Sequence, residues 1–368
     1  MEKGRCPVEN LEVINPGFWQ NKSVFITGHT GFKGSWLSIW LTSLGAKVHG
    51  YSLAPPTDPS LFEVAGVASF ISNHTIGDVR DRAALERAID RARPDIILHL
   101  AAQPLVRQAY VDPVFTLETN VIGTMNLLEC ARVCDGVKAI VNVTTDKCYE
   151  NKESLRPYRE TDELGGFDVY SASKACSELV TGAYRRSFLA ESGKYVATAR
   201  AGNVIGGGDW SVDRLIPDFL RALDVGATLR IRYPDSVRPW QHVLEVLSGY
   251  MLVAERLYSD GAAFAGPWNF GPRDSDCKSV GWIVEHLCSI FPGGTWALDG
   301  APKPHEAHLL TLDASKAHRE LGWSSVWDLP EALSKTVLWH KAWREQRGML
   351  QVSLSQIQSF VADGRGAV

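Results

Sequence analysis

Three apolar residues, Val24-Phe25-Ile26, run into three glycines, Gly28, Gly31 and Gly34, with two residues between each pair, and then into the apolar segment Ser35–Leu41. A short apolar run suits a strand buried on both faces. Glycines between such a strand and a helix let backbone N–H groups approach a pyrophosphate at the helix N-terminus. Ser23–Gly34 therefore commits the chain to an α/β fold that opens strand–turn–helix, and it points to a dinucleotide. The spacing Gly-x-x-Gly-x-x-Gly is less common than Gly-x-Gly-x-x-Gly. A turn that only packs helix on strand would leave the same pattern, so later segments must decide.

From Lys22 the pattern alternates. Strands are expected at Val24–Thr27, Lys47–Tyr51, Ile71–Ile76, Ile96–Leu100, Ala139–Thr144 and Tyr195–Arg200, with helices near 31–44, 81–92, 113–134 and 168–190. Such alternation predicts a Rossmann-type, doubly wound parallel sheet covered on both faces. After Arg200 the rhythm breaks into glycines (Gly202, Gly206, Gly207, Gly208) and turns marked by Pro217, Pro234, Pro239, Pro267, Pro272, Pro292 and Pro302. This predicts a smaller C-terminal substrate-binding lobe closing over the carboxyl ends of the strands. The expected division is a leader over 1–20, a dinucleotide-binding domain over 21–204 with a returning segment near 235–262, a substrate lobe over 205–234 and 263–346, and a peripheral tail over 347–368 that ends in a short helix at Leu354–Val361.

A length of 368 residues suits two joined lobes. The net charge of −4 lends no support to nucleic-acid binding. No apolar run nears the roughly 20 residues of a membrane span, and the start lacks a signal-peptide core. Seven scattered cysteines form no zinc-site pattern and read as reduced thiols of a cytoplasmic protein. No metal is expected. The twelve Trp read as core and lobe-packing residues.

Asp78, after the third strand, can accept from an adenine amino group or cap the next helix; capping is the expectation for Asp81. The second strand ends His49-Gly50-Tyr51-Ser52-Leu53, with neither an acid for ribose hydroxyls nor an Arg for a 2′-phosphate. Leu100-Ala101-Ala102 is small enough to lie against a cofactor. Tyr170-Ser171-Ala172-Ser173-Lys174 places Tyr and Lys on one helical face. An ammonium there lowers the phenol's proton affinity, and a phenolate can take a hydroxyl proton as hydride leaves the same carbon.

Taken together, Gly28–Gly34, Asp78-Val79, Thr144-Thr145 and Tyr170-x-x-x-Lys174 resemble the extended short-chain dehydrogenase/reductases acting on nucleotide sugars, over roughly residues 20–345. The resemblance implies bound NAD, held by Gly28, His29, Gly31, Phe32, Lys33, Gly34, Asp78, Val79, Leu100, Ala101, Ala102, Tyr170 and Lys174. It implies a homodimer paired through 113–134 and 168–190, and CDP-glucose as substrate. Asn203 and Arg238 match the family's diphosphate contacts. Asp209, Arg214 and Asp218 are expected near sugar or base.

Thr145-Asp146-Lys147 points to the reaction. Dehydratases of the family usually carry Thr-Asp-Glu here: Thr holds the sugar 4-hydroxyl, Asp protonates the leaving 6-hydroxyl, and Glu removes the C5 proton. Here Lys147 stands in place of that Glu, as C5 base or as enolate stabiliser. Thr144 is then structural. The rivals are a 4-epimerase, which needs neither acid nor C5 base, and a non-catalytic dinucleotide sensor.

Overall fold

A computed structural model describes residues 14–291, 293–300 and 309–366. Residues 1–13 of the expected leader, the turn prolines Pro292 and Pro302, and His305 and His308 lie outside this range. Strands β1 (Ser23–Thr27), β2 (Lys47–Ser52), β3 (Asn73–Ile76), β4 (Ile96–His99), β5 (Ala139–Val143) and β6 (Tyr195–Ala201) fall within two residues of their expected positions. A seventh, β7 (Gly266–Phe270), completes a parallel sheet in the order β7-β6-β5-β4-β1-β2-β3. Within 263–346, the stretch expected in the substrate lobe, Gly266–Phe270 instead joins the main sheet. Its Gly-Pro start reads as a turn, yet Pro267 sits on an edge strand, where no N–H is owed to a further neighbour. Trp268 and Phe270 anchor it, both fully buried.

Two sets of helices cover the sheet. On one face lie α1 (Phe32–Ser43) and α6 (Val243–Asp260), sharing a core with Trp36, Trp40, Leu247 and Met251. On the other, α2 (Arg82–Ala92), α3 (Gly123–Val133) and α4 (Val169–Tyr184) pack through Leu85, Ile89, Leu127, Leu128 and Val180. Asp81 caps α2, accepting from Ala84 N–H at 3.0 Å, as expected. The second lobe gathers Ile216, Phe219, Leu229, Trp240, Ile283 and Leu333 around α5 (Leu215–Asp224) and the first half of α7 (Leu329–Arg344). Pro217 sits in the first turn of α5 rather than in a loop, a position where its missing N–H costs nothing.

Both ends of the described chain are more deeply packed than their polarity suggests. Trp19 is fully buried, and its indole N–H donates to Glu255 on α6 at 2.6 Å. The expected peripheral tail is an 18-residue helix, α8 (Met349–Gly366), lying on α1. Phe360, fully buried, meets Trp40 edge to face at 5.7 Å and Trp327 at 5.1 Å. The sparse apolar spacing of α8 (Met349, Ile357, Phe360) hid this face. Phe360→Ala should lower the unfolding free energy by about 3–5 kcal/mol, the usual cost of emptying a buried aromatic site. Urea titration of the purified chain measures it, and a change under about 1 kcal/mol, the surface range, would return the tail to the periphery.

Candidate active site

The sheet order reverses between β1 and β4, and ligands in open α/β sheets bind outside the carboxyl ends of strands at such a point. A cavity of about 770 Å³ opens there, walled on its far side by the second lobe. Gly28, with φ +78°, carries the chain out of β1, and a Cβ on it would come within 2.7 Å of Ala101 N. Gly31 caps α1 without a side-chain hydrogen bond, so the first-turn N–H groups have no internal acceptor. A Cβ on Gly31 would meet no protein atom closer than 3.4 Å, and the residue lines the cavity. Free helix N–H groups facing open space at a positive helix terminus fit a pyrophosphate. Leu100, Ala101, Ala102, Asp78 and Val79 line the same end.

One expectation for this end changes. His29 turns away from the cavity. It is buried, its Nε2 lies 2.7 Å from His74 Nδ1, and it stacks edge-on to Phe62. Burial, with His74 beside it, lowers its proton affinity to about 4. Its neutral imidazole belongs to the packing under β2. The Asp78 carboxylate does face the cavity, but it already accepts from Arg80 Nε and Nη2 at 3.0 and 2.7 Å and from Arg80 N–H at 2.9 Å. Room for a further donor remains only on lone pairs that Arg80 leaves open.

At the centre, β5 ends and the segment Thr144–Tyr149 begins. Thr144 Oγ1 donates to Glu178 at 2.6 Å, a structural use. Thr145 Oγ1 donates to Asp146 Oδ1 at 2.9 Å and accepts from Lys147 N–H at 3.4 Å. Asp146 is buried, and its Oδ2 has no partner. Burial raises its proton affinity against the pull of Lys147, Arg238 and Lys33. Lys147 is half-buried and lines the cavity.

Tyr170 and Lys174 face the cavity from α4. Burial pushes the Tyr170 phenol up to about 12, with the Thr145 hydroxyl and Arg214 pulling against it. The expected lowering by Lys174 is not what this arrangement produces. The Lys174 ammonium donates to Val143 C=O at 3.1 Å, and burial lowers its own proton affinity to about 8. Desolvation of the phenol therefore outweighs the charges around it.

Lys33 reaches from the turn toward the same centre. Burial and the charges of Arg214 and Lys174 lower it to about 7, against Asp146 and Asp209. Asn203, Arg214 and Arg238 line the opposite wall, with Arg214 paired to Asp209 at 2.8 Å. Asp218 is also on that wall and pairs with Arg221. The sequence reading missed Ser52, Phe115, Thr119, Arg230, Arg232, Tyr233 and Trp240, which line the cavity as well. The alternation Leu229-Arg230-Ile231-Arg232 was the available signal for a short strand, and all four residues line the cavity. Among the described residues, no cluster of three or more His, Cys, Asp or Glu could hold a metal, and no helix is long and apolar enough to cross a membrane.

Residues 24–264 match the NAD dependent epimerase/dehydratase family. The CDP-glucose 4,6-dehydratase of Salmonella typhimurium strain LT2 is 51% identical over 95% of this chain and 99% of its own. The dTDP-glucose 4,6-dehydratase of Xanthomonas campestris pv. campestris is 26% identical over 86% of this chain and 92% of its own. Among solved structures, DesIV, a dTDP-glucose 4,6-dehydratase of Streptomyces venezuelae with NAD bound, matches with a TM-score of 0.71 and 28% identity, over 89% of this chain and 99% of that one.

The Lys33 amine, on a half-buried residue and lowered to about 7 chiefly by desolvation, opposes folding most where it is charged. Below about pH 7 Lys33 is protonated in both states and its burial cost is complete. Between about 7 and 10.5 the folded form sheds the proton first, and the cost falls away as pH rises. Lys33→Met should therefore raise Tm clearly at about pH 6 and little at about pH 10. An equal gain at both values would show that Lys33 is not desolvated in the folded chain.

Proposed function

The chain belongs to the NAD dependent epimerase/dehydratase family, and from that premise we propose that it converts CDP-D-glucose to CDP-4-dehydro-6-deoxy-D-glucose and water. It is an NAD-dependent nucleotide-sugar 4,6-dehydratase. The observation that carries the assignment is Asp146, a buried carboxyl with raised proton affinity and an unpartnered oxygen, in one cavity with Tyr170 and Lys174. A 4-epimerase has no use for such an acid.

The glycine turn at Gly28 and Gly31 would hold NAD, which would supply a hydride acceptor for C4, a hydride donor for C6 and, while oxidised, a positive charge lowering the Tyr170 phenol from its buried value. Tyr170 takes the C4 hydroxyl proton, with Thr145 orienting that hydroxyl. The 4-ketone makes C5–H acidic, because the carbanion formed there delocalises into the carbonyl. Lys147 removes this proton, or steadies the enolate while another base acts. Asp146, its proton affinity raised by burial, gives its proton to the departing 6-hydroxyl, and water leaves. A proton then returns to C5. Arg238 supplies a planar fork for the diphosphate, with Asn203 beside it.

Dimerisation and location are part of the same reading. Val114, Leu117, Ile122 and Met125 on the 113–133 stretch and Leu179 on α4 are exposed apolar residues. We place the partner subunit of a homodimer on them, and the enzyme in the cytoplasm, consistent with the six free cysteines among the described residues. Light scattering should give twice the chain mass, and Leu179→Asp should shift it toward one; a wild-type monomer would exclude the dimer.

The assignment is tested by incubating the enzyme with CDP-, dTDP-, GDP- and UDP-glucose and weighing the products. Loss of water from CDP-glucose is expected; an epimer of unchanged mass would overturn the assignment. Asp146→Asn should slow water loss at least about 100-fold while C4 oxidation still reduces the nicotinamide. Lys147→Ala with full turnover would remove Lys147 from the chemistry.

A further inference from the structure

One buried ion pair holds both ends of the segment that carries the acid. Glu178 lies on α4 one turn beyond Lys174 and two beyond Tyr170, on the same face. It pairs with Arg200 of β6, and the two side chains are each 3% exposed. Arg200 Nε donates to Oε1 and Nη2 to Oε2, both at 2.9 Å. Glu178 also accepts from Thr144 Oγ1 and from Thr198 Oγ1, each at 2.6 Å. The remaining nitrogen of the fork, Arg200 Nη1, donates to Tyr149 Oη at 2.7 Å, and the guanidinium stands 4.9 Å from that ring's centre. Tyr149 Oη donates in turn to Asn269 Oδ1 of β7 at 2.7 Å. Thr144 and Tyr149 are the residues immediately before and one past the turn Thr145–Cys148.

A buried pair is not an efficient way to fill a core, since its desolvation largely cancels its attraction, and apolar residues of the same volume often do as well. What a planar fork and a four-bond carboxylate add is direction. Glu178, Arg200, Tyr149 and Asn269 are not cavity-lining residues; they reach bound molecules through Thr144 and the turn, and Glu178 also through its charge on Lys174. Tyr170 and Lys174, by contrast, are fixed by α4 and by the Lys174 bond to Val143 C=O.

We propose that Glu178 and Arg200 are positioning residues for the elimination step, holding Thr145-Asp146-Lys147 through Thr144 at one end and Tyr149 at the other. This rests on the dehydratase reading above. Loosening the Tyr149 end displaces Asp146 and Lys147 while Tyr170 and Lys174 stay in place, so oxidation at C4 outlasts loss of water.

Tyr149→Phe tests it, because it removes one oxygen and keeps the ring. With CDP-glucose and NAD, water loss is followed by mass and C4 oxidation by nicotinamide absorbance in the same sample. The ratio of the two rates does not depend on the fraction of enzyme folded. Tyr149→Phe should lower that ratio at least tenfold, with reduced nicotinamide accumulating and KM for CDP-glucose little changed. Arg200→Lys, which keeps the charge and loses the fork, should lower it in the same direction. An unchanged ratio in Tyr149→Phe, whether both rates hold or fall together, overturns the inference. Absence of water loss in the unmodified enzyme would instead overturn the dehydratase reading, and this inference with it.

Discussion

Gly28 touches the end of β4 so closely that no side chain could stand on it, and the geometry of the centre follows from that contact. It sets the carboxyl ends of β1 and β4 side by side where the sheet order reverses. It aims the N-terminus of α1 into the gap with its N–H groups unclaimed. One strand further along, β5 delivers Thr145 and Asp146 to the same opening, and α4 brings Tyr170 and Lys174 beside them. A backbone contact thus determines where a hydride acceptor and an acid–base set can meet.

Desolvation then determines what those groups do. Asp146, Tyr170, Lys174 and Lys33 are all pushed toward their neutral forms by burial, each against charged neighbours. A carboxyl with raised proton affinity and an amine with lowered proton affinity are what acid–base work near neutrality needs. The Glu178–Arg200 pair, by contrast, is buried charge saturated with hydrogen bonds. Asp146 Oδ2 is left without a partner in the cavity, where a substrate would complete it.

The sheet was legible from the sequence because β1, β4 and β5 are short apolar runs between helix-length segments, and the strand–helix alternation carries through the more polar β2 and β3. The turn Gly28–Gly34 and the pair Tyr170-x-x-x-Lys174 were legible because their spacing is itself the mechanism. What was not legible depended on tertiary neighbours. Pro267 reads as a turn unless its strand is known to be an edge. His29 reads as a ligand of the turn unless His74 and Phe62 are known to enclose it. The direction of the Tyr170 shift depends on how much solvent the second lobe removes, and Glu178 and Arg200 sit 22 residues apart with nothing in their spacing to join them.

The contact of Phe360 with Trp40 has a bearing on how the protein is made. Helix α1 leaves the ribosome well before α8. Until α8 follows, the outer face of α1 lacks the helix that covers its Trp40 indole, the kind of apolar surface on which nascent chains associate wrongly. Covering it requires segments far apart in the chain to meet. A chain truncated before α8 would therefore have every residue of the cavity and still expose the back of the helix supporting it.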